Sequence, residues 1–320
     1  MARAIGARAQ MALAFETVYG TPPGSGYTRM PFASATLGAD QPLIDNELLG
    51  YGRDPLPPIK DALSADGDVV VAIDARAFGF WLKGAFGQPE STEGEDGSGD
   101  PNGEFTHVFE SGSWNLPSMA IEVGMPEVPL FSMYPGCRVD QLSFTMQRSG
   151  QLQATARLIP QGEVTNAAAQ TGTLSDVVLR RFGHFNGAIS RNGVALGNVV
   201  TAEVTYGNNL DRIETIRSDG LIDGADPGMA MMTGRIAVRF ADTTLLQQAI
   251  DGVASELEFG WSLPTGESLT VTAHAVYLPR PRREISGPQG VQATFDWQAA
   301  LDPITGRMCT VTLVNDVEAY

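Results

Sequence analysis

The segment GDVVVAIDARAFGFWLKGAF, residues 67–86, decides the fold because it places a strand pattern directly before a helix pattern. Its first part is a glycine followed by mostly β-branched residues, which favour strands. Its second part has apolar side chains three or four residues apart between Phe78 and Phe86, which predicts an amphipathic helix from Asp74 to Phe86. Asp74 stands where an N-cap is expected and Gly87 follows the last apolar position, so the predicted helix has both a start and a stop signal.

The same order of glycine, strand and helix recurs 167 residues later in GRIAVRFADTTLLQQAI, residues 234–250. A second amphipathic helix is predicted over 242–250, with Asp242 or Thr243 as its N-cap and Gly252 after it. A further match joins GQLQATA, residues 150–156, to GVQATF, residues 290–295, with the offset between the glycines reduced to 140. We interpret these matches as an internal duplication whose second copy is shorter. The alternative is that this order recurs by chance in a β-rich chain.

Most other periodic segments alternate apolar and polar residues, which predicts strands and a mainly β chain. Short turn-forming sequences at 148–150, 191–193 and 264–266 predict hairpins between some of them. The predicted strands are 121–124, 142–147, 152–158, 199–206, 235–240, 257–263 and 268–277.

The matches divide the chain into two tandem units, each with one short flanking helix. The sequence QPESTEGEDGSGDPNGE, residues 88–104, is acidic and has no apolar residue to anchor it, so we expect an exposed loop found in the first unit alone. The predicted divisions are an N-terminal arm at 1–35, a first domain at 36–161, a linker at 162–175, a second domain at 176–303 and a C-terminal tail at 304–320.

The overall charge disfavours a protein that grips nucleic acid. The chain has 21 Lys and Arg against 37 Asp and Glu, a formal net charge of -16, and no long run of basic residues. Such acidity suits a wall past which DNA slides without sticking, although it is equally explained by solubility alone.

Neither export nor membrane insertion is indicated by the sequence. Arg3 and Arg8 precede the short apolar stretch 11–15, which is too short for a signal peptide, and no window approaches 18 consecutive apolar residues. The two cysteines, Cys137 and Cys309, are far apart and belong to no C-x-x-C pair, so neither a disulfide framework nor a zinc site is expected.

Side chains that might hold a metal ion are scattered or misplaced. His107, His184 and His274 have no second ligand at a metal-binding spacing, so we interpret them as structural or surface residues. Two acidic turns carry oxygen-bearing side chains of the kind that bind calcium, but both are expected to be solvated. In the first turn Pro101 stands where a calcium loop needs its glycine. Their oxygen-bearing residues are Asp96, Ser98, Asp100 and Asn102 in the first turn and Asp219, Asp223 and Asp226 in the second.

No sequence motif of a hydrolase, metalloprotease or nucleotide-binding enzyme is present in a suitable context. We therefore expect no catalytic residue, no cofactor and no metal, and hence no enzyme. The one locally basic stretch, YLPRPRRE at 277–284, has prolines that favour an extended segment, and we interpret it as a contact with another subunit in preference to a DNA site.

Several long phrases of the sequence resemble the major tail tube proteins of long-tailed, siphovirus-like bacteriophages. The resemblance covers about residues 3–300, and residues after about 303 add nothing to it. The phrases are MARAIGARAQMALAFETVYGT, SMAIEVGMPEVPLFSMYPGCRVDQLSF with GQLQATARLIPQGE, and RFGHFNGAISRNG with NNLDRIETIRSDGLIDGADP.

This resemblance implies a β-sandwich or barrel-like fold with one flanking helix, assembled into stacked rings that form a tube for DNA ejection. If each chain holds two such units, three chains would close a pseudo-six-fold ring, with the N-terminal arm or the 88–104 loop reaching between rings. An acidic lumen would repel DNA, which passes without specific binding. The implied partners are further copies of the chain and the tail terminator, distal tail and tape measure proteins, with assembly in the host bacterial cytoplasm and a final location in the virion tail.

Three alternatives remain open at the level of sequence. A tail terminator or distal tail protein would share the fold but cap a tube. A carbohydrate-binding β-sandwich would expose clustered tryptophans, whereas Trp81 lies in a helix pattern and Trp114, Trp261 and Trp297 are dispersed. An enzyme with an unrecognised site would show a deep pocket with carboxylates of perturbed pKa.

Overall fold

The computed structural model describes residues 3–280 and 291–320, and within them the chain is mainly β, as predicted. The two helices are α1 (Phe78–Phe86) and α2 (Thr244–Asp251), with short 3-10 turns at Gly6–Arg8 and His184–Asn186. The strands are β1 (Gln10–Phe15), β2 (Thr28–Arg29), β3 (Ser34–Ala35), β4 (Gly38–Asp40), β5 (Leu43–Ile44), β6 (Ile59–Lys60), β7 (Ser64–Ala72), β8 (Glu90–Glu95), β9 (Pro101–Glu110), β10 (Met119–Met125), β11 (Leu130–Gln147), β12 (Gln153–Ile159), β13 (Val164–Asn166), β14 (Gly187–Arg191), β15 (Val194–Ala195), β16 (Val199–Gly207), β17 (Asp211–Ile213), β18 (Gly224–Asp226), β19 (Met231–Arg239), β20 (Ser255–Ser262), β21 (Ser268–Tyr277), β22 (Gln292–Ala300) and β23 (Cys309–Asn315).

Each of the seven predicted strands coincides with an observed one, and the three predicted turns connect antiparallel neighbours. Both predicted helices exist. Helix α2 follows Thr243, one of its two predicted N-caps, whereas α1 begins at Phe78, later than predicted. Asp74 accepts hydrogen bonds from the backbone N–H groups of Arg76 and Ala77 in the turn before α1, so it orders the approach to the helix and is not its N-cap. Gly87 and Gly252 end the helices with positive φ, as expected.

One antiparallel layer runs through both halves of the chain, and we call it the shared sheet. Its strand order is β3 with β4, then β7, β12, β11, β16, β19 and β22. The strands up to β11 form its first half, and β16, β19 and β22 form its second half. Alternate side chains of these strands enter the core, among them Val71, Val204, Ile236 and Phe295.

A second layer covers the core side of the shared sheet. On one side β10 lies between β1 and the first part of β11, and on the other β20 lies between β14 and β21. The two layers meet through aromatic side chains, since Phe259 of β20 stacks on Trp297 of β22 with ring centroids 5.9 Å apart. Helix α1 contacts the other half of the chain, because Phe86 stacks on Tyr206 of β16 at 4.1 Å.

Three segments predicted to lie outside the domains contain strands that pair with strands of these two layers. Within the predicted arm, β1 pairs along its whole length with β10, and within the predicted linker, β13 pairs with β11. Within the predicted tail, β23 lies between β21 and β9. The physical reason is burial: Leu13 of β1 and Val311 and Leu313 of β23 are all buried in the core. The terms arm and tail are therefore wrong for these strands.

The predicted acidic loop at 88–104 is also mostly regular structure. Strands β8 and β9 form a hairpin in which Ser91 faces His107, with a tight turn at residues 96–100. Strand β9 is anchored to β23, and Phe109 near its end is buried. The prediction of exposure holds for residues 88, 90–93 and 95–104. The prediction of a loop is wrong, because the apolar residues that anchor the hairpin lie just beyond the segment.

The strand pairing of the first half of the shared sheet recurs 167 residues later with the same register. Each residue pair in β3, β4 and β7 has a counterpart in β16 and β19, and the small hairpin between them recurs as well. The matched pairs are Ser34–Val70 and Thr201–Ala237, Gly38–Asp66 and Thr205–Thr233, and Ile44–Ile59 and Asp211–Asp226. Gly67 and Gly234, which share this offset, also meet the same part of the neighbouring strand, at Leu37 and Glu203 respectively.

Later in the chain the offset is smaller. Arg138 pairs with Ile159 and Tyr277 pairs with Gln298, each 139 residues on. The sequence QAT at 153–155 and 292–294 has the same offset. The glycine-based offset of 140 therefore exceeds that of the strands by one residue, and Gly290 itself lies outside the described residues.

Candidate assembly interface

The junction between the two halves of the shared sheet is a continuous ladder between β11 and β16. Seven residue pairs run from Gln141–Gly207 to Gln147–Thr201. At its start, β11 has a bulge around Asp140, whose carbonyl oxygen accepts the N–H of Asn208 at 2.7 Å. The side-chain amide of Asn208 donates to the carbonyl oxygens of Ala85 and Val139 at 2.9 and 2.8 Å. Asn208 is only 3% exposed, so it ties the second half to a helix and a strand of the first.

The hairpin β17–β18, residues 211–226, is named the second side hairpin, and it docks on the first half. The guanidinium of Arg212 donates to Ser64 Oγ at 3.0 Å and to Asp66 Oδ2 at 2.9 Å. Leu63 N–H donates to the carbonyl of Gly220 at 3.3 Å. The other docking contacts are Arg138 donating to Ala225 O, Gln161 donating to Ile222 O at 3.2 Å, and Leu221 lying against Gly162.

The hairpin β5–β6, residues 43–60, is named the first side hairpin, and it occupies the matching position in the first half. Among the described residues, no strand pairs with the outer edge of β3 and β4, the edge that corresponds to the β11-facing edge of β16. The first side hairpin is correspondingly uncovered: Pro58 is exposed, whereas its counterpart Ala225 is completely buried. Large exposed apolar residues of this hairpin are Leu43, Ile44, Leu48, Leu49, Tyr51 and Ile59.

The face of the shared sheet that points away from the core is polar. Its charged residues are of both signs, and Arg235 Nε lies 2.7 Å from the carboxylate of Asp296. Hydroxyl and amide side chains fill most other positions, such as Thr155, Thr205 and Gln298. The charged residues on the strands of this face include the acidic Asp40, Asp66, Asp68, Glu203 and Asp296 and the basic Arg157, Arg235 and Arg239. Two open grooves follow this surface, one along Glu203, Arg235 and Asp296 and the other along Ser143, Thr155 and Thr205.

The three histidines are far from one another and have separate hydrogen-bond partners. His107 is buried, with Nδ1 2.7 Å from Ser91 Oγ and Nε2 2.8 Å from the carbonyl oxygen of Val317. The carbonyl can only accept, so Nε2 carries the proton and the Ser91 hydroxyl donates to Nδ1. Burial lowers the pKa of His107, and the hydrogen bonds to Val317 and Asn315 oppose this effect. His107 is therefore a neutral structural residue.

The other two histidines also make local contacts. His184 Nδ1 accepts the N–H of Gln147 at 3.3 Å, and His274 Nε2 lies 2.8 Å from Thr310 Oγ1. Across residues 3–280 and 291–320, no three His, Cys, Asp or Glu side chains come together in a way that would hold a metal ion.

The two acidic turns are held by hydrogen bonds and ion pairs. Asp96 Oδ1 accepts the N–H groups of Ser98 and Asp100 at 2.8 and 3.0 Å, and backbone hydrogen bonds, the one from Asp100 first, lower the pKa of Asp96. Asn102 similarly accepts the N–H of Glu104. In the second turn Arg217 binds both Asp219 and Asp223, and Asp226 faces Arg138. The hydrogen bonds from Arg217 lower the pKa of Asp219 to about 2, so this turn is cross-linked by arginines as well as solvated.

The remaining sequence candidates are placed as follows. Both cysteines are free and buried, and burial raises the pKa of the Cys309 thiol to about 12. Three tryptophans are buried and Trp114 alone of the four is exposed, so the structure forms no exposed tryptophan cluster. In the basic stretch at 277–284, residues 281–284 lie outside the described residues, whereas Arg280 is exposed at the end of β21. Neither of the described helices is long and apolar enough to cross a membrane.

Sequence reasoning missed the residues that make the half-to-half junction. Asn208, Arg212 and Arg138 lie in segments without periodicity, and their roles depend on partners 69 to 146 residues away. A sequence signal for them is the weak match of Asp45-Asn46 and Gly52-Arg53-Asp54, after β4, to Asn208-Asn209 and Ser218-Asp219-Gly220, after β16.

Comparison with known proteins agrees with this architecture. A search of curated proteins finds no match. A family of phage tail tube proteins matches residues 6–299, which is nearly the whole chain. The mainly β fold, the shared sheet with its polar face and this match together show that the chain belongs to the phage tail tube protein family.

Proposed function

We propose that this chain polymerises into stacked rings that form the tube through which phage DNA leaves the virion, and that it acts as a structural subunit without catalysis. The observation that carries the proposal is the recurrence of strand pairing. Strands β3 and β4 have the register of β16, yet only β16 has its outer edge covered by another strand. The outer edge of β3 and β4 has no partner strand among the described residues, and the side chains of Glu163 and Tyr134 bond to Ala39 N–H and Leu37 O there. An edge of this kind, with a matching strand-paired edge elsewhere on the same molecule, is suited to end-to-end pairing of copies.

The same recurrence supports two tandem units per chain. The expected units are residues 36–161 and 176–303, joined through the β11–β16 ladder and complemented by β1 and β23. Because each chain would supply two similar units, three chains would complete a pseudo-six-fold ring. Six chains per ring would make twelve units and would contradict this proposal.

We further propose that the polar face of the shared sheet lines the lumen. The charged groups of this face are of both signs, so a net negative charge of the lumen remains a prediction. Weak adhesion of DNA would also come from paired charges and neutral hydroxyl and amide groups, which offer few unpaired cations to phosphate. Glu203→Lys should slow DNA ejection from assembled particles, because it adds an unpaired cation to the wall. Unchanged ejection kinetics with intact tails would count against this role for the face.

The remaining parts of the proposal concern location and partners. The chain would assemble in the host bacterial cytoplasm and stay in the virion tail. The tail terminator, distal tail and tape measure proteins would contact the tube. Contacts between rings are assigned to the β8–β9 hairpin in preference to the N-terminal segment, because β1 is held inside the fold.

Electron microscopy of the concentrated, purified protein tests the proposal directly. Hollow tubes or rings, with end-on views classified for symmetry and mass measured per ring, are the expected result. Monomers that persist at high concentration would contradict polymerisation and favour a capping tail component.

A further inference from the structure

The first side hairpin, residues 43–60, carries large apolar side chains that no described residue of its own chain covers. Leu43 is 61% exposed, Ile44 44% and Ile59 64%. Exposed apolar patches of this size in a soluble chain mark interaction sites. Its counterpart, the second side hairpin, shows what such a hairpin contacts when it is docked.

The surface that receives the second side hairpin has a counterpart in the second half of the chain. Docking positions in the first half are Ala62, Ser64, Arg138 and Gly162. The offsets of 167 and 139 established by strand pairing place Met229, Met231, Tyr277 and Leu301 at the same positions. All four are exposed, Met229 by 83% and Leu301 by 67%.

The two uncovered surfaces are complementary. Within the chain, Arg138 contacts Ala225 and Asp226 of the second side hairpin. The matching offsets bring Tyr277 to Pro58 and Ile59 of the first side hairpin, so an apolar contact takes the place of the polar one. The charges of the two surfaces are complementary as well. Gln141 and Gly207 are partners in the β11–β16 ladder, and their counterparts are Arg280 and Asp40. Docking one copy on the next would therefore bring opposite charges together beside the apolar contact.

We propose that the first side hairpin of one copy docks on the Met229, Met231, Tyr277 and Leu301 surface of a neighbouring copy, as the second side hairpin docks within its own chain. The occupant is a second copy because the internal junction is a template for the contact. The contact is head-to-tail, and each copy keeps one donor and one acceptor surface. This inference rests on the proposed function and assigns the residues through which neighbouring subunits of a ring meet.

A pair of cysteines can report this contact. A Cβ atom on Gly220 would lie 3.6 Å from Ala62 Cα, and the counterparts of these two residues are Arg53 and Met229. Both are exposed, so Arg53→Cys and Met229→Cys should leave the fold intact, and the predicted spacing suits a disulfide. Cys137 and Cys309 are buried with raised pKa values, which keeps them out of the reaction.

The experiment is mild oxidation of assembled protein followed by non-reducing electrophoresis. The double variant should give a ladder of covalent dimers and larger species ending in a closed ring. An equal mixture of the two single variants should stop at dimers, and each single variant alone should stay monomeric. A second double variant, Arg53→Cys with Val194→Cys, uses an exposed position outside the proposed surface and should not cross-link.

The outcomes separate this inference from the proposed function. Rings or tubes seen by microscopy without cross-linking of the Arg53 and Met229 pair would overturn the hairpin contact and leave the tube function standing. Dimers formed by Arg53→Cys alone would also overturn it, because they indicate a symmetric contact. Absence of any rings or tubes would contradict the proposed function, and this inference with it.

Discussion

Replacing Asn208 with alanine should weaken the junction between the two halves of the shared sheet. The side-chain amide is buried and donates to the carbonyl oxygens of Ala85 and Val139 at 2.9 and 2.8 Å. Removing it deprives two carbonyl groups of a donor in a site without water access, at about 1–3 kcal/mol for each group left unsatisfied. Allowing for partial relaxation, we expect the free energy of unfolding to fall by about 2–4 kcal/mol.

The assay is urea unfolding of the dilute, unassembled chain, followed by tryptophan fluorescence. With a urea slope of about 3 kcal/mol/M, the midpoint should fall by about 1 M while the slope stays unchanged. The chain supplies its own control in Gln41, which holds the position equivalent to Asn208 but is exposed and donates to the carbonyl of Asp61. Gln41→Ala should change the free energy of unfolding by less than about 0.5 kcal/mol.

Equal losses in the two variants, or an Asn208→Ala midpoint within 0.2 M of the parent at a slope of about 3 kcal/mol/M, would refute the reasoning. Either result would mean that the amide does not secure the junction. In assembled tubes the difference between the stability losses of Asn208→Ala and Gln41→Ala should be smaller, because the inferred contact between copies places Gln41 against a neighbouring chain.

Three further predictions concern the core, one close approach and pH. Trp297→Ala should lower the free energy of unfolding by about 3–5 kcal/mol in calorimetry, because it empties a buried site stacked on Phe259, and a loss below about 1 kcal/mol would contradict that packing. Gly234→Ala should also destabilise, since its Cβ would lie 2.0 Å from the carbonyl oxygen of Glu203, and an unchanged melting temperature would argue against this close approach. For His107 the folded pKa is lowered, so the unfolded chain binds more protons and stability falls as pH drops below about 6.5. Unfolding curves between pH 7.5 and 5.5 should show a shallower loss for His107→Gln than for the parent, and parallel losses would exclude His107 as the cause.

Local patterns in the sequence were sufficient for β7, β11, β12, β16 and β19 of the shared sheet and for both helices, but not for β3, β4 and β22. Alternation identifies β16 and β21, and spacing of apolar residues identifies both helices. The start of α1 was misplaced because Asp74 bonds to backbone N–H groups just as a capping residue does, but one turn too early.

Pairing between distant strands was beyond the reach of those patterns. The alternation of Cys309, Val311 and Leu313 is a clear strand signal, yet nothing local shows that β23 inserts between β21 and β9. The candidate interface depends on such pairings throughout. The exposed apolar residues Leu43, Ile44 and Ile59 become informative only when their hairpin is matched by register to a docked one.

The position of β23 has a consequence for the order of events in folding. Its two neighbours, β9 and β21, come from opposite halves of the chain, and both precede β23 in synthesis. Until β23 is made, each of them presents an open edge that invites pairing with other chains. When β23 inserts between β9 and β21, it joins the two halves at a second place, far in sequence from the β11–β16 ladder. The two halves therefore complete their folding together. A chain that ends before β23 would expose two unpaired strand edges, one on β9 and one on β21.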